Sequence, residues 1–244
     1  MKKAFLLLTA LFVAQLSFAQ VSGIVKRTKE TVANTKLGGE LTQEEAGGGL
    51  KEALNAGVGE AVNFLSAKDG YFKSPYKILL PVEAQKVVDK LKGVPGFERL
   101  ESDLTERMNR AAELAAGKAK PIFVSVIKNL SFKDALNLLM GKEDAATRYL
   151  EQRTADPLYE QFKPVIQQAL DEVNARQLWR SAATAYNKLP FVTKTNAELD
   201  DHVTNKALAG MFGLIEKKEK AIRSDVSLRN TDLLKKVFAK QDKK

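Results

Sequence analysis

The densest group of side chains that could do chemistry lies in "TERMNRAAE", residues 105–113. If this stretch is helical, Arg110 lies one turn from both Glu106 and Glu113, and Asn109 shares a face with Glu113. Two interpretations follow. The group is either a solvated ladder of ion pairs, each contributing about 0.2–0.5 kcal/mol, or a buried network that lines a pocket. The second interpretation makes Asn109, Arg110 and Glu113 the predicted ligand-binding residues.

The composition excludes several other chemistries. The chain contains no cysteine and a single histidine, His202. Thiolate catalysis and nearly every zinc pattern are therefore excluded, and the G-x-S-x-G motif of serine hydrolases is absent. Glu198 precedes His202 by one helical turn, but two ligands do not make a metal site, so His202 is interpreted as a surface histidine. The sequence predicts no metal, no cofactor and no identifiable catalytic residue.

A glycine-rich stretch, "EEAGGGLKEALNAGVGEAV" at residues 44–62, has the composition of a phosphate-binding loop. Such a loop needs a preceding strand and free N–H groups at the start of the next helix. Here Thr42 and Glu45 form a T-x-x-E capping box, so the helix begins before the glycines and its donors are occupied. Glycine inside a helix costs about 1 kcal/mol relative to alanine. We therefore expect these glycines to admit another helix at close range, with a ligand over the exposed backbone as the alternative.

A second stretch, "GKEDAATRYLEQRT" at residues 141–154, contains polar residues near a predicted helix start. The free N–H groups of a helix start can hold an anion. Ordinary capping of the helix explains the same pattern equally well, so both interpretations stay open. The residues concerned are Asp144, Thr147, Arg148 and Tyr149.

Helices must position these residues, because apolar side chains recur at three- and four-residue steps along most of the chain. Pro81, Gly117 and Gly141 lie at the ends of such segments. The stretch "PIFVSVIKNL", residues 121–130, is rich in β-branched residues but is also predicted to be helical, since "YKILL" is its only plausible strand partner. The predicted fold class is therefore all-α, a bundle-like domain of several helices.

Two further helix starts are predicted from capping patterns. Asp156 followed by Pro157 is typical of an N-cap with proline in the first turn. The apolar stripe behind it runs through Pro164, which predicts a kink there. Thr195 and Glu198 form a second T-x-x-E capping box. We expect one helix to begin after Asp156 and another after Thr195.

The N-terminal "MKKAFLLLTALFVAQLSFA", residues 1–19, has the pattern of a cleaved secretory signal peptide. Two lysines precede an apolar run, and Ser17 and Ala19 supply small residues before the cleavage site. An uncleaved anchor is the alternative, although the run is short for a membrane span. We expect a periplasmic or secreted protein with no lipoprotein cysteine and no transmembrane segment in the mature chain.

The rest of the chain shows no composition shift or long linker that would divide it. Residues 20–40 have poor periodicity and are predicted to form a flexible N-terminal arm. Residues 41–240 are predicted to form a single all-α domain, and residues 241–244 a solvated basic tail.

The net charge of +9 favours acidic partners such as anionic lipid or polysaccharide. Nucleic acid is excluded, because the sequence has no basic strand with interleaved aromatics and no zinc knuckle. The nearest approach to a basic membrane-surface helix is "IEKKEKAIRSD", residues 215–225, whose acidic residues dilute the basic face.

Four stretches of the chain resemble the bacterial domain of unknown function 4197 family. The first is "MNRAAELAAGKAKPIFVSVIKNLSFKDALNLLMGKEDAATRYL", residues 108–150. "GLKEALNAGVGEAV" precedes it, and "LDDHVTNKALAGMFGLIEKKEKAIR" and "TDLLKKVF" follow it in consistent order, so that the resemblance spans about residues 37–238. The resemblance implies an exported, mostly helical protein, although some members have a lipoprotein cysteine that this sequence lacks. It implies no activity, cofactor or catalytic residue.

The sequence therefore favours a non-catalytic exported helical module that binds an envelope protein or a small apolar or anionic ligand. Two alternatives stay open: an enzyme of unrecognised type with a pocket built from Asn109, Arg110 and Glu113, and a peripheral membrane-surface protein. Burial of those three residues around a closed pocket would favour an enzyme or a ligand carrier, whereas full solvation would exclude both.

Overall fold

The computed structural model describes residues 36–37, 41–195, 198–239 and 242. Within these residues the chain forms nine α-helices, and the predicted all-α class is confirmed. The predicted signal peptide, nearly all of the predicted N-terminal arm and most of the predicted basic tail lie outside the described residues. The helices are α1 (Gln43–Ser66), α2 (Val82–Leu91), α3 (Leu100–Ala116), α4 (Lys120–Lys128), α5 (Phe132–Met140), α6 (Ala145–Glu172), α7 (Ala175–Asn187), α8 (Leu199–Ser224) and α9 (Asp232–Phe238).

Two kinds of short element accompany the helices. Strands β1 (Lys36–Leu37) and β2 (Leu41–Thr42) pair in antiparallel fashion, with Leu37 opposite Leu41. A single 3-10 turn, Val226–Leu228, follows α8. Because β2 leads directly into α1, the strand pair lies at the start of the first helix.

Apolar side chains from all nine helices form one contiguous core. The long helices α6 and α8 pack against each other, and α1 and α3 both pack against α8. Phe123 of α4 meets Phe212 of α8 edge to face, with ring centroids 5.8 Å apart, an arrangement that adds about 0.5–1.5 kcal/mol to the burial of the two rings. The single domain with boundaries at 41 and 240 stays a prediction.

Local capping signals place several helix starts as predicted. The Glu45 N–H donates to Thr42 Oγ1 at 3.1 Å, and the Thr42 N–H donates to the Glu45 carboxylate at 2.9 Å, which confirms the first capping box. Ser131 Oγ accepts from the Asp134 N–H at the start of α5, and Thr231 caps α9 in the same way. The helical prediction for the β-branched stretch is confirmed by α4.

The predicted helix start at Asp156 is wrong. Helix α6 continues from Ala145 to Glu172 and contains both Pro157 and Pro164. Proline removes a backbone hydrogen bond and usually ends or kinks a helix. Here Leu150 and Leu158 are fully buried on either side of Pro157, so packing against α3 and α8 keeps the helix continuous.

The predicted capping box at Thr195 is also wrong. Helix α8 begins at Leu199, and Glu198 lies at its N-cap without a side-chain hydrogen bond to the helix. Thr195 binds the end of α7 instead. Its N–H donates to Asn187 Oδ1 at 3.0 Å, and its carbonyl accepts from Asn187 Nδ2 at 3.0 Å. Thr195 therefore lies before the start of α8 and binds the end of α7.

Gly47 and Gly49 of α1 lie against two other helices, which confirms the predicted close packing at these two positions. A methyl group placed on Gly47 would lie 2.5 Å from the Phe132 ring of α5. One placed on Gly49 would lie 2.5 Å from the Val237 side chain of α9. Both glycines are buried, so neighbouring side chains occupy the space that a Cβ would need.

We expect Gly49→Ala to lower the free energy of unfolding by about 1 kcal/mol. Overpacking typically costs about 1–3 kcal/mol, which outweighs the gain of about 1 kcal/mol from replacing a helical glycine. Val237 is buried and stiff at χ1, so it cannot turn away. Urea denaturation followed by circular dichroism measures the change.

Gly59→Ala in the same helix is the matched control, because no atom lies within 4 Å of the added methyl group. This substitution should raise the free energy of unfolding by about 0.5–1 kcal/mol. Equal stabilisation by both substitutions would contradict the packing role of Gly49.

Candidate functional site

Asn109, the first of the predicted site residues, lies fully buried on α3 and holds the loop between α1 and α2. Its Oδ1 accepts from the Ile78 N–H at 2.8 Å, and its Nδ2 donates to the Ile78 carbonyl at 2.8 Å. The same Nδ2 donates to the Thr105 carbonyl at 2.7 Å. The amide therefore satisfies both backbone groups of Ile78, as a neighbouring strand would.

Glu113 binds an earlier part of the same loop. One oxygen of its buried carboxylate accepts from the N–H groups of Tyr71 at 3.2 Å and Phe72 at 3.1 Å. The other oxygen accepts from Arg110 Nη1 at 2.8 Å. Arg110 also donates to Asp69 Oδ1 at 2.7 Å, so the guanidinium links α3 to the loop through two carboxylates.

The electrostatics of this network keep Arg110 charged. Partial burial acts to lower the pKa of the guanidinium, but hydrogen bonds to Glu113 and Asp69 raise it above its ordinary value. The hydrogen bond from Arg110, with a second from Lys73, holds the pKa of the Asp69 carboxyl below its ordinary value. The Phe72 ring centroid lies 5.1 Å from the guanidinium carbon, within the range of a cation–π contact.

The three predicted residues therefore meet at one loop, residues 67–81, and clamp it to α3. The network is largely buried, unlike a solvated ladder of ion pairs, and among the residues that the structure describes no buried side-chain polar atom is without a partner. Fully paired networks of this kind specify one conformation. Ligand binding by Asn109, Arg110 and Glu113 stays a prediction.

A groove between α1 and α8, with a volume of about 580 Å³, was not predicted from the sequence. Its walls are one face of each helix, and most of the lining side chains are apolar. The α1 wall consists of Ala53, Ala56, Gly57, Glu60 and Phe64, and the α8 wall of Leu214, Lys217, Lys218, Ala221 and Ile222.

Segments outside these helices also line the groove, one before α2 and one after α8. Pro75 and Tyr76 belong to the loop clamped by α3. A methyl group placed on Gly210 of α8 would lie 3.0 Å from the Tyr71 ring and 3.3 Å from Tyr76. One placed on Gly213 would lie 3.6 Å from the Tyr76 ring. The loop therefore lies closely against this part of α8. The segment after α8 contributes Leu228, Asn230 and Leu234.

The clamp and the groove are connected through the loop. Asn109 holds residue 78 and Glu113 holds residues 71 and 72, so these two side chains fix the loop on either side of Tyr76. The Tyr71 hydroxyl also donates to the Ala207 carbonyl of α8 at 2.7 Å. The predicted residues therefore position part of the groove and do not line it.

A few polar groups interrupt the apolar lining. Glu60 of α1 and Lys218 of α8 form an ion pair at 2.5 Å that joins the two walls. The Lys217 ammonium, the Tyr76 hydroxyl and the Asn230 amide have no hydrogen-bond or ion-pair partner in the described part of the chain. These three groups are therefore available to a ligand.

The Tyr76 hydroxyl is a hydrogen-bond donor at neutral pH. Burial raises the pKa of the phenol above its ordinary value, and the Lys218 ammonium opposes this rise in part. Because an ordinary tyrosine already titrates near pH 10, the hydroxyl keeps its proton and can donate to a ligand oxygen.

The groove was missed because its residues fit other patterns. Ala53 and Gly57 match the apolar stripe of an ordinary core helix, and Lys217 and Lys218 belong to the stretch interpreted as a diluted basic face. One signal could have found it. The small residues of α1 occupy a wider part of the helix surface than one core-facing stripe requires. Such a pattern indicates a shallow face beside the core.

The start of α6, one of the predicted anion sites, holds a carboxylate of the protein itself. Glu219 of α8 accepts from the N–H groups of Ala146 at 3.0 Å and Thr147 at 2.7 Å, and from Thr147 Oγ1 at 2.7 Å. Arg223 donates to the same carboxylate at 2.8 Å. Asp144 lies at the N-cap but makes no capping hydrogen bond. A remote carboxylate thus satisfies the helix start and its dipole.

His202 of α8 contacts the loop between α1 and α2. Its Nε2 lies 2.8 Å from the Leu79 carbonyl. In the ranges described, no group of three or more acidic or histidine side chains is arranged to hold a metal ion. Across the same residues, no helix combines the length and apolarity that crossing a membrane requires.

The fold and the groove place the protein in the class of all-helical bundles with an apolar cleft between two long helices. The family identity follows from comparison with known families. The chain belongs to the family described as "Protein of unknown function (DUF4197)", whose model matches residues 40–239. Comparison with curated proteins and with solved structures gave no match.

Proposed function

We propose that this protein is a non-catalytic binding module of the cell envelope and that the groove between α1 and α8 is its ligand-binding site. The observation that supports this proposal is the size and lining of the groove, about 580 Å³ with mostly apolar walls and a few unpaired polar groups. Ligand sites in proteins typically measure roughly 300–1,000 Å³ and have this lining.

The polar groups of the groove favour binding over catalysis. Glu60, its single carboxylate, is exposed and paired with Lys218, so it lacks the shielded environment that tunes a general acid or base. Among the described residues, three buried carboxylates pair with arginine and lie outside the groove: Glu113, Asp200 and Glu219. Glu113 and Glu219 also accept hydrogen bonds from backbone N–H groups.

The envelope part of the proposal is supported by the sequence of residues 1–19. A short basic segment, an apolar run and small residues at the expected positions form the pattern of an export signal. The absence of cysteine is compatible with an oxidising compartment, because no free thiol is exposed to it.

We expect the protein isolated from its own cell envelope to retain a small molecule, and Ala56→Phe to lose it. Ala56 is exposed on the α1 wall of the groove, so a phenyl ring there fills the groove without entering the core. Native mass spectrometry of the wild-type and variant proteins measures the bound mass.

Asn63→Phe is the matched control, because Asn63 is exposed on the same helix and does not line the groove. This variant should retain the ligand. Circular dichroism establishes that both variants are folded. A wild-type protein without any bound molecule, or a ligand retained by Ala56→Phe, would count against the proposal.

A further inference from the structure

The shape of the groove suits an elongated ligand. The wall formed by α1 runs from Ala53 to Phe64, a distance of about 16 Å along the helix at 1.5 Å per residue. Leu214 and Ile222 line the facing wall, and Leu234 also lines the groove. An extended alkyl chain can contact the apolar side chains of these walls and leave the surrounding water.

The charge of the groove suits an anion. Glu60 and Lys218 neutralise each other at 2.5 Å. Lys217 is exposed on the groove wall and has no ion-pair partner among the described residues. The lining therefore has one uncompensated positive charge, which attracts an anionic group and repels a cationic one.

A neutral hydrogen-bond donor also lines the groove. The Tyr76 hydroxyl has no partner within the described ranges. A carboxylate accepts hydrogen bonds from an ammonium and a hydroxyl at the same time, and a bond to a charged partner is the stronger kind. The polar groups without partners thus match an acidic head group, and the walls match an alkyl chain.

We infer that the groove binds a free fatty acid, with its alkyl chain along the walls and its carboxylate at Lys217. This inference rests on the proposed function, because it names the ligand class of the same groove. A free acid is favoured over a membrane lipid because the groove offers one elongated slot, whereas a bilayer lipid brings two chains.

Isothermal titration calorimetry with three probes of equal chain length tests this inference. The probes are dodecanoate, dodecyltrimethylammonium and dodecyl maltoside, each below its micelle concentration. Phosphatidylglycerol vesicles form a fourth arm. The variants are Lys217→Gln, Tyr76→Phe and the matched control Lys206→Gln, which removes an exposed lysine of α8 outside the groove.

We expect dodecanoate to bind at one site and dodecyltrimethylammonium to bind at least about tenfold more weakly. Lys217→Gln should weaken dodecanoate binding by about five- to tenfold, as expected for loss of one charge-assisted hydrogen bond. The same variant should leave the affinity for dodecyl maltoside unchanged. Tyr76→Phe should weaken dodecanoate binding by a smaller factor, and Lys206→Gln should have no effect.

Several results would overturn the inference and leave the proposed function standing. Equal affinities for the three head groups, or no effect of Lys217→Gln, would show that the carboxylate does not determine binding. If no alkyl probe binds and a ligand of another chemical class co-purifies with the protein, a fatty acid is excluded as the ligand. Binding only to the vesicles would indicate a membrane-surface protein. Failure of every probe with no co-purified ligand would overturn both proposals.

Discussion

Glu219→Ala is expected to lower the free energy of unfolding by about 3–5 kcal/mol, because it breaks a buried ion pair and leaves one charge without its partner. Glu219 and Arg223 are both buried, with Nη2 of Arg223 2.8 Å from the carboxylate. The carboxylate also accepts the backbone N–H groups of Ala146 and Thr147 at the start of α6. The substitution therefore leaves a helix start and a guanidinium unsatisfied together.

The contacts of Arg223 increase the loss of stability expected for Glu219→Ala. Its guanidinium donates to the carbonyl groups of Leu139 and Leu138, both at 2.9 Å, at the end of α5. The Glu219–Arg223 pair thus joins the carboxyl end of α5 to the amino end of α6, where the helix dipoles favour a cation and an anion respectively. Loss of the carboxylate should loosen both helix ends.

Urea denaturation measures this change, and Glu143→Ala is the matched control. Glu143 pairs with Lys220 of α8 at 2.8 Å, but its side chain is 68% exposed. Exposed pairs contribute about 0–1 kcal/mol. Should Glu219→Ala fail to fold, Glu219→Gln keeps the shape of the side chain and should give a smaller loss of the same sign. A loss no greater than that of Glu143→Ala would refute the capping role.

Asn109→Leu is expected to lower the free energy of unfolding by about 2–4 kcal/mol. Leucine preserves the volume of the side chain but leaves the N–H and carbonyl of Ile78 without partners, and a buried unsatisfied group costs about 1–3 kcal/mol. Ile78 is itself buried, so water cannot replace the amide. The loop over residues 67–81 should become more mobile.

Hydrogen exchange at the Ile78 amide measures this directly, beside urea denaturation of the whole protein. Asn63→Leu, at an exposed position of α1, is the matched control and should change stability by less than about 0.5 kcal/mol. If Asn109 serves a substrate and not the loop, Asn109→Leu should leave both stability and exchange close to those of the wild type, and the enzyme alternative would gain support.

The sequence by itself determined where most helices lie. The capping box of Thr42 and Glu45 and the cap at Ser131 connect residues three positions apart, so the pattern that predicts them is contained in the stretch that forms them. The same holds for the apolar periodicity of α3 and α4. The glycines of α1 could be interpreted as packing contacts because their cost inside a helix required a compensating neighbour.

Only the tertiary structure decided what the polar residues bind. Asn109 meets Ile78 across 31 positions of the chain, and Glu219 meets Thr147 across 72. The spacing showed that Asn109 and Arg110 each lie one helical turn from Glu113, but not that a loop would bind them. Local pattern also gave the wrong helix starts at Pro157, where packing keeps α6 continuous, and at Thr195, since α8 begins at Leu199.

The groove shows most clearly which features depend on the tertiary structure and not on local sequence patterns. Its two walls come from helices about 160 residues apart in the chain, as the Glu60–Lys218 pair shows with a separation of 158. Each wall by itself looks like an ordinary amphipathic face. The cavity exists only because α8 and the loop over residues 67–81 pack beside α1 at a distance that the side chains do not fill. Sequence patterns report the period of one helix, whereas the space between two helices depends on how the whole core packs.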